Sequence, residues 1–289
     1  MKQTLLLLFL FLACQACNND ASDSPSQESA QSPGLDPAIE RLSSAIQAQP
    51  DQPDLYASRA ELWYNKSSYD NAIADLQAAL AFDSTNLNYL YLLTDVYLDY
   101  SQSRRALHTI ERAVEVDPNN VESLLSLAEV QLILTQFEDA LQTLGKASQL
   151  DPRNPEIYLL LGQTLAETGD TARAINATQE AVEIEPDLMD GWIILGQLHD
   201  AAGTGLAERF FNTALDLDPN SVRALHAKAD FLRDQNQLTE AIKLYQETSR
   251  IDRQYVAGHF NAGLLYMELD SIEKAKQEFD ITIKNDPIH

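Results

Sequence analysis

The sequence predicts an all-α protein, a solenoid of helix–turn–helix units stacked along one axis, and three recurring features carry this prediction. A helix-ending proline returns at a nearly constant interval, small residues recur in register with it, and large apolar residues fill helical spacings around both. The proline position is occupied in turn by Pro50, Ser84, Pro118, Pro152, Pro186, Pro219, Arg253 and Pro287. Every interval is 34 residues except one of 33, so the chain is built from equivalent units.

Residues 1–16 have the features of a secretory signal. A lysine precedes an apolar run from Leu5 to Ala13, which is too short to span a bilayer but has the length of a signal core. Cys17 then follows a small residue, and this arrangement resembles the lipobox of bacterial lipoproteins, in which such a cysteine is lipidated and becomes the mature N-terminus. Cys14 is the alternative lipidation site, and an ordinary cleaved signal is the alternative to lipidation.

This N-terminal segment predicts an exported protein that a lipid anchors in the bacterial cell envelope. Asn18 is not the aspartate that, in some bacteria, retains lipoproteins in the inner membrane, so the outer membrane is favoured over the inner one. Residues 17–35 are mostly Ser, Asp, Asn, Gln, Pro and Gly, with almost nothing to bury. They are therefore predicted to be a flexible linker between the lipidated cysteine and the folded body.

The folded body is predicted to begin with a capping half repeat at residues 36–52, one helix with Asp36 as its N-cap and Pro37 in its first turn. Seven full units follow, at residues 53–86, 87–120, 121–154, 155–188, 189–221, 222–255 and 256–289. Each unit divides into two helices of about a dozen residues, joined by a polar break. In the 33-residue unit this break is one residue short, and Gly203 and Gly205 supply the tighter backbone that it needs.

Columns of small residues mark the places where the two helices of a unit cross closely. The first column is Ala60, Thr94, Ala128, Gly162, Gly196, Ala229 and Gly263, the second is Ala38, Ala72, Ala106, Ala140, Ala174, Ala207, Ala241 and Ala275, and the third is Ala45, Ala79, Ala113, Ala147, Ala181, Ala214, Thr248 and Thr282. A column of mostly large residues packs around them, at Leu76, Ile110, Leu144, Thr178, Phe211, Tyr245 and Phe279. Because helices approach only where side chains are small, these columns predict a packed helix pair in every unit.

The period, the small-residue columns and the terminal proline closely resemble those of the tetratricopeptide repeat family, over Asp36 to Pro287. The sequence departs from the family pattern where Arg59, Lys228 and Ala262 replace the usual leucine of the first helix. The resemblance implies a right-handed superhelix in which the first helix of each pair lines the concave side.

Composition and motifs argue against catalysis, cofactors and nucleic acid. The chain has 20 Lys and Arg against 44 Asp and Glu, so a phosphate backbone or an anionic membrane surface would be repelled.

The two cysteines of the chain both precede the folded body, which leaves that body no thiol for a disulfide, a zinc site or a nucleophile. No glycine-rich phosphate loop, HExxH or GxSxG pattern occurs. His226 and Asp230 are four residues apart on one helix face, but a third metal ligand is not evident. We therefore expect neither an enzyme nor a bound metal or cofactor.

The family resemblance also implies which residues face the concave groove. Carried over position by position, it gives a partner-binding set of Asp54, Glu61, Tyr91, Asp95, Leu125, Glu129, Leu159, Gln163, Ile193, Gln197, His226, Asp230 and Phe260. The set combines a mostly apolar stripe with flanking carboxylates, to which Glu122, Glu156 and Asp190 add further charge. A basic, partly hydrophobic peptide or helix of another protein would complement such a groove.

These observations predict a non-catalytic scaffold that recruits or organises other envelope proteins through its groove. Glycan or nutrient capture is one alternative, kept open by the tyrosine-rich stretch at residues 88–100, and a regulatory subunit of an envelope enzyme complex is another. The last unit is also expected to expose an apolar side that could serve self-association, because solenoids usually need a polar cap at each end.

Overall fold

The computed structural model describes residues 36–286, and fifteen α-helices account for all of the regular structure within them. The helices are α1 (Pro37–Ala48), α2 (Pro53–Tyr64), α3 (Tyr69–Phe82), α4 (Leu87–Asp99), α5 (Ser103–Val116), α6 (Val121–Ile133), α7 (Phe137–Leu150), α8 (Pro155–Glu167), α9 (Thr171–Ile184), α10 (Met189–Ala201), α11 (Ala207–Leu217), α12 (Val222–Asp234), α13 (Leu238–Ile251), α14 (Ala257–Glu268) and α15 (Ile272–Asn285). Each helix packs on the next one along the chain, which gives a right-handed solenoid without strands in the described part.

The helix borders follow the predicted units closely. The helices α2, α4, α6, α8, α10 and α12 begin at the first residues of six of the seven units, and α14 begins one residue inside the seventh. The signal, the lipidation site and the linker, at residues 1–35, lie outside the described residues, as does the proline marker at Pro287.

Aspartates and asparagines make the joints between units. Asp117 ends α5, and its side chain accepts a hydrogen bond from the backbone N–H of Asn119 at 3.1 Å. Asn120 then caps α6 by accepting from the N–H of Ser123 at 2.8 Å. Asp218 and Ser221 repeat the arrangement before α12. The recurring acidic residue, proline and Asn or Ser are therefore a helix stop followed by a helix start.

The turn inside each unit needs one residue in the left-handed region. The positions with positive φ are Ser67, Ser101, Thr135, Gly169, Gly203, Asn236 and Asp270, one for each pair of helices. The shortened unit has a second residue in the left-handed region, Gly205, whose φ is 74°. Both glycines of the short break therefore adopt the backbone that the sequence predicted for them.

The small-residue columns form the buried centre of the solenoid, as predicted. Ala60, Ala106 and Ala214 are fully buried, and so are most other members of the three columns within the described residues. Where the first column holds glycine, the facing residue fills the space, since a Cβ atom at Gly263 would lie 2.5 Å from the ring of Phe279. Glycine at these positions is required for the close approach of two helices.

Two of the three departures from the family leucine are balanced by a polar partner. Arg59 donates to both carboxylate oxygens of Asp75, at 2.7 and 2.6 Å, and its third contact is the hydroxyl of Ser43 on α1 at 2.9 Å. Lys228 donates to the side chain of Asn212 at 2.6 Å. The arginine therefore ties the capping helix to the first full unit.

Candidate interaction groove

The first helices of the pairs carry the predicted groove residues, and two adjoining cavities collect most of them. One cavity, of about 540 Å³, is lined by Leu125, Glu129, Leu159 and Gln163 together with neighbours on α6 and α8. The other, of about 560 Å³, is lined by Gln163, Ile193, Gln197, His226 and Asp230 and neighbours on α8, α10 and α12. We call them the acidic cavity and the histidine cavity, and both together the central groove. Eight of the thirteen predicted residues thus lie together, while Asp54, Glu61, Tyr91, Asp95 and Phe260 line neither cavity.

The acidic cavity combines an apolar floor with unpaired negative charge. Leu125, Leu159 and Leu160 contribute side chains between α6 and α8, and Glu122, Glu129 and Glu156 surround them. Within residues 36–286, none of these three glutamates takes part in an ion pair. The cavity is therefore apolar at its base and anionic at its rim.

Asp95 extends this negative charge towards the N-terminal units. Burial, and then the nearby carboxylates of Glu129 and Asp99, raise the pKa of Asp95 to about 6. Like charges that raise a carboxyl pKa in this way report a local negative potential. A bound cation would relieve that repulsion, so the region from Asp95 to Glu156 favours positively charged groups.

The histidine cavity is built differently, because its polar groups bind one another. His226 Nε2 lies 3.5 Å from Asp230 Oδ2, and the imidazole ring makes edge contacts with Tyr245 and Tyr255 at centroid distances of 5.2 and 5.5 Å. Its Nδ1 atom is buried and has no hydrogen-bond partner among the described residues. Burial lowers the pKa of His226, and of the two nearby charges Asp230 raises it while Arg233 lowers it further.

Asp230 is less available to a partner than the sequence pattern suggested. It accepts hydrogen bonds from the Tyr245 hydroxyl at 2.6 Å and from Arg233 at 2.8 Å. Arg223, the other basic residue near this groove, pairs with Asp190 at 2.7 Å. Asp190 and Asp230 are therefore paired with cations of the protein itself, whereas the three glutamates around the acidic cavity have no such partner.

Four of the predicted groove residues differ in how far they are available to a partner. The Tyr91 hydroxyl contacts Ser123 Oγ at 2.6 Å and donates to Asn120 at 3.1 Å, which joins α4 to the start of α6. Asp54 accepts a hydrogen bond from Tyr89, and Ile193 is almost fully buried. Glu61 is exposed on α2.

Phe260 lies at the C-terminal end of the predicted groove, where its ring packs at a tilt against Phe279 at 5.8 Å. The side chain is still about a third exposed, at 36%. It therefore continues the apolar stripe beyond the two cavities.

Tyr255 is one of the groove residues that the repeat pattern did not predict. Tyr255 lines the histidine cavity and contacts the ring of His226. It stands in the loop before α14, at the position where other units have a helix-capping Asn or Ser such as Asn120 and Ser221. The available signal was a tyrosine in a column in which Asn86, Asn120, Asn154 and Ser221 cap the following helix.

Helix α4 contains the tyrosine-rich stretch on which the alternative of glycan capture depends. Most of its tyrosine rings pack within the protein. Tyr89 and Tyr97 are buried, and Tyr91 bonds across repeats. Tyr100, directly after the helix, stacks on Tyr69 at 5.2 Å and remains partly exposed. The helix therefore presents no row of exposed rings.

Two properties of residues 36–286 bear on metal binding and on membrane insertion. No group of three or more His, Cys, Asp or Glu side chains in this range is arranged to hold a metal ion. None of the helices in the same range is both long and apolar enough to cross a membrane.

Sequence comparisons match repeat families along most of the described chain. Models described as tetratricopeptide repeat match residues 35–86, 131–192 and 210–243, and one described as TPR repeat matches residues 229–270. A model of the anaphase-promoting complex, cyclosome, subunit 3, matches residues 65–147. A search of the curated proteins found no match.

Solved structures of low sequence identity share the fold. Yeast Tom70 is 16% identical with a TM-score of 0.70, over 85% of this chain and 54% of its own. The APC/C hetero-tetramer Cut9-Hcn1 is 18% identical with a TM-score of 0.57, over 87% of this chain and 50% of the matched one. MamA from Desulfovibrio magneticus RS-1 is 19% identical with a TM-score of 0.52, over 58% and 96%. This chain thus spans about half the length of the first two.

Proposed function

The chain belongs to the tetratricopeptide repeat family, and we propose that it is a non-catalytic scaffold that holds a basic, partly hydrophobic segment of a partner protein in its central groove. The observation that carries the proposal is the acidic cavity, where Glu122, Glu129 and Glu156 surround an apolar floor without a cation of their own. Repeats of this family mediate protein–protein interaction, which supports a partner of protein nature.

The chemistry of the acidic cavity favours lysine or arginine side chains on the partner. Their aliphatic stems can lie along Leu125 and Leu159 while the charged ends reach the glutamates at the rim. Opposite charges across an interface increase the association rate and discriminate against acidic segments. We therefore assign recognition of the positive charge to the glutamates at the rim of the acidic cavity and apolar contacts to its floor of Leu125, Leu159 and Leu160.

The proposal includes a lipid anchor in the bacterial envelope, with the outer membrane favoured over the inner one. The only support is the N-terminal sequence, in which Cys17 follows an apolar signal core. A lipid would confine the bound partners to a membrane surface and raise their effective concentration there. Palmitate labelling in cells tests this, because Cys17→Ala should abolish the label and Cys14→Ala should not. A label that survives in Cys17→Ala would overturn the assignment.

Affinity capture from detergent-solubilised envelope, with residues 18–289 as bait, tests the groove. A second bait carries Asp95→Lys and Glu129→Lys, and a third carries Glu138→Lys and Glu180→Lys, two exposed positions on the second helices α7 and α9. The second and third baits have the same net charge, so they differ only in where the charge was changed.

We expect a basic partner to be retained by the unmodified bait and the third bait and to be lost from the second. A further bait with Leu125→Ala and Leu159→Ala should also retain less of it, because the floor of the acidic cavity is removed. Equal retention by all baits would place the contact outside the groove and contradict the proposal.

A further inference from the structure

The last repeat, α14 and α15, exposes more apolar surface than the rest of the solenoid. Seven of the fourteen exposed large apolar side chains in residues 36–286 belong to these two helices and the turn between them. Met267, Ile272 and Ile283 are the members that concern us, with exposed fractions of 46%, 53% and 59%. We call these three residues the C-terminal face.

Internal symmetry shows what kind of surface this is. The residues equivalent to Ile283 in earlier units include Leu80 and Val182, which are 7% and 1% exposed. Val182 is covered by the following repeat, because a Cβ atom at Gly191 on α10 would lie 2.4 Å from it. The counterpart of Met267 is Ala166, which packs in the same apolar cluster as Leu198 of the next unit. The C-terminal face is therefore the surface by which one repeat receives another helix pair.

The opposite end of the solenoid does not match this face. The exposed side chains of α1 include Glu40, Arg41, Ser44 and Gln47, which are polar. A head-to-tail contact would place the apolar C-terminal face on this polar helix and leave its side chains without water. The C-terminal face of a second copy does offer a matching apolar surface, and a contact between two such faces closes with twofold symmetry.

Charge also favours contact between two copies at this end. Residues 222–286 contain nine Lys and Arg against eleven Asp and Glu, whereas the rest of the chain contains 11 against 33. Two copies that meet through the last repeat therefore bring together nearly neutral regions, and the strongly acidic repeats stay apart.

A charged pair on α15 supplies the register. Lys276 occupies the position where Ile73 and Ile242 are buried in other units, and Asp280 follows one helical turn later. Neither forms an ion pair within the described residues. If two α15 helices pack antiparallel about a twofold axis, Lys276 of each copy meets Asp280 of the other.

We propose that the protein forms a twofold homodimer in which the C-terminal faces of two copies pack together and Lys276 pairs with Asp280 across the axis. Three large apolar side chains are fewer than a permanent interface contains, so we expect a dimer with Kd on the order of 10 μM. Such a dimer would leave both central grooves open and make the scaffold bivalent.

Sedimentation equilibrium of residues 18–289, which contain every described helix, tests the proposal over a concentration series. Ile272→Glu and Ile283→Glu should each raise the dimer Kd by roughly 30-fold or more, because each places an unpaired charge in the contact. Ile133→Glu changes an equally exposed residue, at 51%, on α6 and should leave the Kd unchanged. A monomer at all concentrations, or an unchanged Kd for Ile283→Glu, would overturn the proposal.

A charge swap tests the arrangement of the two helices. Lys276→Asp should weaken the dimer, and Lys276→Asp with Asp280→Lys should restore it, since the pair is then re-formed in the opposite sense. Failure of the double variant to recover would refute the antiparallel pairing. Glu129→Lys in the acidic cavity should not alter the dimer, which separates this contact from the central groove.

Discussion

Gly196 on α10 lies directly against the ring of Phe211 on α11, so closely that a Cβ atom built on the glycine would be 2.5 Å from the ring carbon Cε1. Both residues are buried, and the backbone of α11 holds the ring in place. We expect Gly196→Ala to lower the free energy of unfolding by about 1–3 kcal/mol, because the methyl group forces the helices apart. Urea denaturation followed by circular dichroism measures the change.

Gly145→Ala is the matched control for that substitution. Gly145 also lies inside a helix, α7, but a Cβ atom there would meet nothing within 4 Å. The same chemical change should therefore stabilise the protein by about 0.5–1 kcal/mol, because alanine favours the helix. If both variants shifted stability in the same direction, close packing of α10 on α11 would not be the cause.

We expect a substitution at Thr135 to stabilise the protein. It stands in the turn between α6 and α7 with a φ of 58°, a region that a β-branched residue rarely adopts. Thr135→Gly removes this strain of about 1–2 kcal/mol but gives the unfolded chain more freedom, so we expect a net gain of about 0.5–1 kcal/mol. The reciprocal change, Gly169→Thr in the equivalent turn, should destabilise. Thermal unfolding of both variants decides whether the strain is real.

The ion pair between Arg59 and Asp75 gives a prediction with an internal template. Asp75 is only 6% exposed, so Arg59→Leu leaves a buried carboxylate without its partner and should cost about 3 kcal/mol. Arg59→Leu with Asp75→Thr installs the residues that the next repeat has at the same positions, Leu93 and Thr109, and should recover most of that loss.

Chemical denaturation of the single and double variants measures this recovery. Hydrogen exchange of α1 in the double variant adds a second readout, because loss of the contact between Arg59 and Ser43 should speed exchange in that helix even where overall stability has recovered. Equal stability of the single and double variants would show that the unpaired carboxylate of Asp75 does not cause the loss.

The columns of the repeat predicted the fold, because the spacing of small residues follows directly from how two helices cross. Ala60 and Gly196 could be placed at crossings from the sequence, and both are buried there. The partners of polar residues could not be placed in this way. Arg59 and Asp75 are sixteen residues apart on different helices, and no periodic signal relates them.

The same limit applies to the groove. Position in the repeat indicated which side chains point towards the concave side, but not which of them are already satisfied. Asp230 carries the same charge in the sequence as Asp95, yet the hydroxyl of Tyr245 and the guanidinium of Arg233 occupy it. Tyr245 belongs to a column that the sequence assigns to the core, and nothing in that column indicates a hydroxyl that reaches Asp230.

Asp95 is the residue whose ionisation best reports the charge of the groove. Its pKa of about 6 exceeds the value of about 4 expected for an unfolded chain, and the causes are burial and then the carboxylates of Glu129 and Asp99. Between these two values the folded protein binds more protons than the unfolded one, so the free energy of unfolding falls as the pH rises.

Asp95→Asn should therefore remove part of the decline in stability between about pH 4 and pH 6 and stabilise the protein at pH 7. Neighbouring helices desolvate the carboxyl group only in part, and the residue as a whole is exposed to solvent. We therefore expect a gain of about 1 kcal/mol or less, and the gain should shrink as salt is added. Glu180→Gln, on the exposed side of α9, removes one negative charge elsewhere and should leave the slope unchanged. Urea denaturation at several pH values measures the slopes, and parallel curves for Asp95→Asn and the unmodified protein would contradict a raised pKa of Asp95.

The substitution Asp95→Asn should also weaken binding of a basic peptide above pH 6, where Asp95 is ionised, and have less effect at pH 5, where it is mostly protonated.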